Sequence, residues 1–426
     1  MTDKLKSLVT LWGLLLLVPG LLAITLPCPG WILFVLIMLA EEPEGLPMAV
    51  SLVVMLGVTL GGGGLTFYQG SQSRIKKPSR LLRLPPLWAV GGGFILALAV
   101  GLGLQQVPLG APLSALALMA AALTPPVGAV VWMLEGQPGV LTWRRAGVAF
   151  VAGATVSVIV VCLLELLFPG ILLLLVLGLA EPVVQAVEEL FQALAGREVA
   201  GVLTSPGFLV ALVEFAVVAP LVEEAVKPLV TLPLVRQLER RRDALLLGAV
   251  AGAGFAALEN TLYAMAGLPI WAGILAVRAL GGAVHPLGTG LVTLGWHGLL
   301  RRQPGAGLGW LSGYGLAVGI HALWNGALVL LLALLGAQFF GEAPPEVDVL
   351  GVTVAGSLLA LLALVGAAAF VGARALARRL AVPEEGEVEE APLLGGLAPD
   401  QVMAIWALVC LLALLPVGLA LLQAMW

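Results

Sequence analysis

Charge is scarce in this chain. Asp, Glu, Lys and Arg make up 11% of its 426 residues, while 60% are hydrophobic. Soluble domains carry about 25% charge, so an ordinary soluble fold is excluded. No long basic tract is present to hold a nucleic acid. Cysteine is scarcer still: Cys28, Cys162 and Cys410 stand far apart in apolar runs, with no CxxC pair. That excludes a disulfide framework and reads as buried free thiols. The HExxH zinc helix is missing, and Gly61–Gly64 and Gly91–Gly93 lack the lysine of a phosphate loop. Lys4, Lys6 and the apolar Leu8–Leu17 lead into no A-x-A cleavage pattern, so this stretch reads as an uncleaved first span.

What is present is apolar length. Runs long enough to span a bilayer lie at about 8–40, 46–69, 87–104, 112–134, 146–180, 206–235, 244–265, 270–299, 311–336, 349–373 and 401–425. The expectation is an all-α, polytopic transmembrane bundle of about eleven spans. With that count Lys4/Lys6, Arg74–Arg83, Arg144/Arg145, Arg236–Arg242, Arg301/Arg302 and Arg374–Arg379 fall on one side. The positive-inside rule then puts the N-terminus in the cytoplasm and the C-terminus outside. Segment 181–200, with Val183, Val184, Val187, Leu190, Phe191 and Leu194 at helical spacing, suits an external amphipathic helix, or equally a loop packed on the bundle. The pairs Gly248/Gly252, Gly309/Gly313 and Gly315/Gly319 would let helices approach closely.

Polar groups at membrane depth are concentrated between 206 and 336. Glu223, Glu224 and Lys227 share one helical turn, so the lysine reaches either carboxylate. Pro228 and Pro220 take away the donors for the Glu224 and Ala216 carbonyls, which loosens that helix on both sides. The next span carries Phe255, Glu259 and Asn260, the one after it Arg278 and His285, and the following one His321 and Asn325. At about 1.5 Å per residue from the cytoplasmic ends, Glu223, Glu259, His285 and His321 come to similar depth. A charge at the midplane costs at least about 2.5–3.5 kcal/mol, so a structural ion pair alone explains the set poorly. Carboxylates beside imidazoles suit water activation or metal binding. Proline-broken helices with midplane carboxylates also suit an ion-coupled transporter, although no internal repeat is evident.

The ordered set Glu223-Glu224-x-x-Lys227, Phe255-x-x-x-Glu259-Asn260, His285 and His321-x-x-x-Asn325 resembles the PrsW family of intramembrane proteases. It is similar, more distantly, to the CAAX prenyl endopeptidases, which carry a histidine where this chain has Glu259. The resemblance covers about residues 206–336 and implies a peptidase core of four spans. That leaves 1–205 as a region of about five spans and 337–426 as one of two. The implied activity is an intramembrane endopeptidase that cuts membrane protein substrates within the lipid bilayer of the plasma membrane. Glu223, Glu224, Glu259, His285, His321 and Asn325 are the catalytic candidates, supported by Lys227, Asn260 and Arg278. In one version Glu223 or Glu224 is the general base, with His321 and Asn325 donating to the oxyanion. In the other His285, His321 and Glu224 hold one zinc ion. The same branch resembles a non-catalytic scaffold subunit of gamma-secretase, so a scaffold is a further alternative.

Overall fold

Apolar runs with few caps and little charge build long helices, and the computed structural model is helical throughout. It describes residues 79–107, 110–135, 141–165, 206–235, 238–266, 270–339 and 349–381. Among these there is no strand, only one isolated bridge between Leu81 and Thr142. The runs at 8–40, 46–69 and 401–425 and the segment 181–200 lie outside the described residues. Helix α1 is Leu87–Gln105 and α2 is Ala111–Leu134. Helix α3, Trp143–Ala152, starts where the Thr142 side chain accepts from Arg145 N–H. It runs through a π turn at Gly153–Ser157 into α4, Val158–Glu165.

The run 206–235 is no single straight helix. It breaks into α5 (Pro206–Val213), a π turn (Glu214–Val218), α6 (Ala219–Val226), a 3₁₀ turn (Lys227–Thr231) and α7 (Leu232–Val235). The breaks fall at Pro220 and Pro228, where the missing N–H groups interrupt the α ladder. Then come α8 (Arg241–Ala266), α9 (Trp271–Leu280), α10 (Val284–Leu300), α11 (Ala306–Phe339) and α12 (Val349–Arg379). Six helices among the described residues are long and apolar enough to cross a membrane. Helices α9 and α10 pass the same test as a pair bent by 44°, as a broken span or a re-entrant loop does.

Helix α8 is the axis of the bundle: 83% of its span is buried, against 11% for α1. Its glycines set how near α10 comes. A Cβ on Gly252 would stand 2.4 Å from the His285 carbonyl oxygen, and one on Gly248 would stand 2.4 Å from Thr293 Oγ1. The two helices therefore run antiparallel at backbone contact, as small residues permit in lipid. Of the other glycine pairs, Gly313 packs on Leu291, while Gly309, Gly315 and Gly319 meet nothing described. Cys162 is exposed on α4, where a lipid-facing surface is as apolar as a core and does not require the thiol to be inside.

Candidate active site

The broken segment brings its carboxylates to the middle of the bundle. A π turn widens the helix register before α6, and a 3₁₀ turn tightens it after. Between them Glu223 and Glu224 project inward and are 4% and 0% exposed; Lys227 is completely buried. Lys227 Nζ pairs with both, at 2.7 Å from Glu223 Oε2 and 2.9 Å from Glu224 Oε1. The π register has a second effect. Ala219 N–H bonds to the Glu214 carbonyl, five residues back. Continued by one step, that register leaves the Phe215 carbonyl opposite Pro220, which has no N–H. Asn325 Nδ2 donates to that carbonyl at 3.0 Å.

Each histidine is oriented by a carboxylate. His321 Nδ1 donates to Glu224 Oε1 at 3.0 Å. His285 Nε2 donates to Glu259 Oε2 at 2.9 Å. Because an ionised carboxylate only accepts, each imidazole keeps its lone pair on the other nitrogen. The donors beyond agree with those tautomers. Lys227 Nζ, which can only donate, lies 2.7 Å from His285 Nδ1. Asn325 Nδ2 lies 3.1 Å from His321 Nε2. The rings meet edge to face, with centroids 4.7 Å apart. Glu259 also takes Arg278 Nη2 at 2.7 Å. Arg278 Nε donates to Asn260 Oδ1, and Asn260 Nδ2 donates to the Ala122 carbonyl. This second layer anchors Glu259 to α2 and α9. Partners of this kind orient metal-binding imidazoles and raise their basicity.

The two lone pairs face one oxygen. Glu223 Oε2 lies 4.0 Å from His285 Nδ1 and 3.9 Å from His321 Nε2. It is buried and lies 2.7 Å from the Lys227 ammonium. Glu223, His285 and His321 offer ligand atoms that all lie within 4.8 Å of one another. Two imidazole nitrogens and a carboxylate oxygen are the donor set of catalytic zinc sites that keep one position open. A buried carboxylate oxygen beside two oriented imidazole nitrogens fits such an ion.

Every residue expected from the sequence lies in this network, but two positions differ in detail. The group whose ligand atoms come within 4.8 Å of one another holds Glu223 where the sequence reading has Glu224. Adjacent residues project about 100° apart on a helix, and Glu224 is already held by His321 and Lys227. The second difference concerns Asn325, whose two amide hydrogens go to Phe215 and His321. With His321 Nδ1–H on Glu224, neither residue has a donor free for an oxyanion. Other polar groups stay apart: His297 is buried against the Leu238 carbonyl near Arg301. Glu165 and Glu214 each keep one buried, unpartnered oxygen away from these contacts. Two contributors were not readable as such. The Phe215 carbonyl is a main-chain group freed by the π turn. Phe255 is legible only by its place four residues before Glu259; its ring lies 4.3 Å under Lys227 Nζ and 5.5 Å from the His285 ring.

A family model described as PrsW family intramembrane metalloprotease matches residues 141–362. The match extends beyond 206–336 at both ends. It takes in α3 and α4, whose Val158 and Val161 pack against Val226 and Phe255 beside the site. No curated protein and no solved structure matches the chain.

Proposed function

This chain belongs to the PrsW family of intramembrane metalloproteases and is an intramembrane peptidase, and we propose that Glu223, His285 and His321 form its metal centre and Glu223 its base. The supporting observation is that two carboxylate-oriented histidines and a buried glutamate, Glu223, bring their ligand atoms within 4.8 Å of one another. A divalent ion held there, zinc by donor type, supplies Lewis-acid polarisation of the scissile carbonyl and of the attacking water. The chain's own groups do the rest. Glu223 has two oxygens, one to hold the ion and one to take the proton of the attacking water. It then passes that proton to the nitrogen of the departing amine. Glu224 and Glu259 hold the imidazoles in their tautomers, and Asn325 ties the Phe215 carbonyl of the broken segment to α11. Burial excludes bulk water, so these electrostatic contacts act at low dielectric. The version in which His321 and Asn325 donate to an oxyanion is less well supported, because their hydrogens are engaged.

The substrate is a membrane-embedded or membrane-proximal protein segment, cut in the plasma membrane. The four spans from 206 to 336 carry the peptidase centre. The transporter and scaffold alternatives give way to the family match. The test is cleavage of a library of single-span substrates by purified protein, with zinc measured on the same sample. About one zinc per chain, loss of cleavage with a chelator, and loss of both in His285→Ala and His321→Ala are expected. Full cleavage by a metal-free wild type would overturn the metal centre.

A further inference from the structure

Lys227 lies in the place that the three metal-binding side chains share. Its Nζ is 2.7 Å from Glu223 Oε2 and 2.7 Å from His285 Nδ1. Those are two of the atoms offered to the ion, and they are 4.0 Å apart. An ion at about 2.1 Å from each would lie within about 2.5 Å of Nζ, by triangle geometry. An ammonium and a dication cannot share that space. We infer that Lys227 is a built-in competitor for the metal site, an internal cation that stands in for the ion and must swing aside before the ion enters. The inference rests on the metal-centre reading above.

Charge explains why such a competitor is present. Three carboxylates, Glu223, Glu224 and Glu259, face two cations, Lys227 and Arg278. Arg278 stands on Glu259, so without Lys227 the metal-free centre would bury two adjacent carboxylates with no cation of their own. Such groups are costly at membrane depth. The lysine therefore makes the empty centre stable, and the same contacts lower the affinity for the incoming ion. A retreat is also at hand. Glu224 Oε1 at 2.9 Å and the Phe255 ring at 4.3 Å already hold Nζ, and neither is a ligand atom of the proposed centre. Lys227 sits at the seam where α6 gives way to the 3₁₀ turn, and Pro228 has removed the ladder bond there. Metal entry and lysine departure are thus a single event.

The test uses the purified full chain, stripped of metal and titrated with Zn²⁺ against a competing chelating dye. Lys227→Met is expected to bind Zn²⁺ at least about tenfold tighter than wild type, within the usual range of coupling between sites. Its metal-free form should unfold at lower temperature and gain more from Zn²⁺ than wild type gains. Equal or weaker binding by Lys227→Met would overturn the inference and leave the lysine a plain counter-ion. Should that variant fold poorly without metal, the comparison of Glu224→Gln with Glu224→Gln/Lys227→Met decides, because it removes one charge of each sign. The double variant must bind tighter than the single one, and the opposite order overturns the inference. A separate arm tests the underlying reading. If His285→Ala/His321→Ala binds Zn²⁺ as wild type does, the three residues are not the metal site, and the competitor falls with it.

Discussion

The neighbours Glu223 and Glu224 have the same chemistry but different neighbours, and they are expected to behave differently when changed. Glu223→Gln removes the proposed base and ligand, and cleavage should fall below detection while the protein stays inserted. Glu224→Gln leaves the donor atoms in place but loosens His321. A lost partner of that type costs about 10–100-fold in metal affinity or activity, so weak cleavage rescued by excess zinc is the expected result. Equal loss in both variants, unaffected by zinc, would contradict this division. Asn325→Ala frees His321 Nε2 and leaves the Phe215 carbonyl without its donor. Interhelical hydrogen bonds in membranes average about 0.6 kcal/mol, so its unfolding midpoint should stay near that of wild type, while the rate falls because the broken segment that carries Glu223 loses its tie to α11. At this scale the sequence was informative about which residues meet, because i, i+3 and i+4 spacing places Glu223, Glu224 and Lys227 together. It could not say which glutamate comes near the second nitrogens of both histidines. That depends on helix phase, and the π turn at 214–218 shifts the phase in a way no side-chain pattern records.

At the level of elements, the irregular segment carrying the glutamates and the contact between α8 and α10 are the parts that matter to the site. Prolines at 220 and 228 pointed to a loosened helix, and the structure has a π turn before the first and a 3₁₀ turn from the second. Restoring an N–H with Pro220→Ala should satisfy the freed carbonyl within the helix and release Asn325. The variant is expected to be as stable as wild type or more so, and yet slower by about 10-fold. A faster enzyme would show that the break has no part in placing Asn325. The glycine contact makes the converse case. Gly252→Ala sets a Cβ 2.4 Å from the His285 carbonyl oxygen, so α10 must move and carry His285 with it. Loss of cleavage and a lowered unfolding midpoint are expected together, whereas Gly315→Ala, which meets nothing described, should leave both unchanged. The glycine spacing alone did not separate these cases, since it says that a close approach is possible and not where a partner comes.

For the whole molecule, the basic residues and the described contacts support one orientation. Trp143 N–H donates to the Arg80 carbonyl, and Arg374 reaches Glu135 and stacks on Trp132 at the end of α2. At the start of α8, the Leu238 carbonyl takes Arg301 from the end of α10. Pairs of helix ends that carry arginine thus meet one another. At the opposite end Trp271 packs with Ala264 and Leu118, and the sequence 267–269 holds no basic residue. Arg278 lies deeper and is neutralised by Glu259, so it does not count as a loop charge. Retention of Lys and Arg on the cytoplasmic side leads us to expect the loop at 301–305 in the cytoplasm and the end of α8 at Ala266 outside. A cysteine introduced at Gly305 should react with an impermeant thiol reagent only from the cytoplasmic side, and one introduced at Leu268 only from the outside. Cys28, Cys162 and Cys410 are replaced by Ser first, so that no native thiol reacts. A reporter fused after Trp426 should behave as external, from the count of eleven spans. Correct labelling at both loops with a cytoplasmic reporter would keep the orientation of the catalytic helices and show that the count beyond α12 is off by one. Reversed labelling at the two loops would overturn the orientation itself, and with it the side from which the depth of Glu223 and His285 is measured.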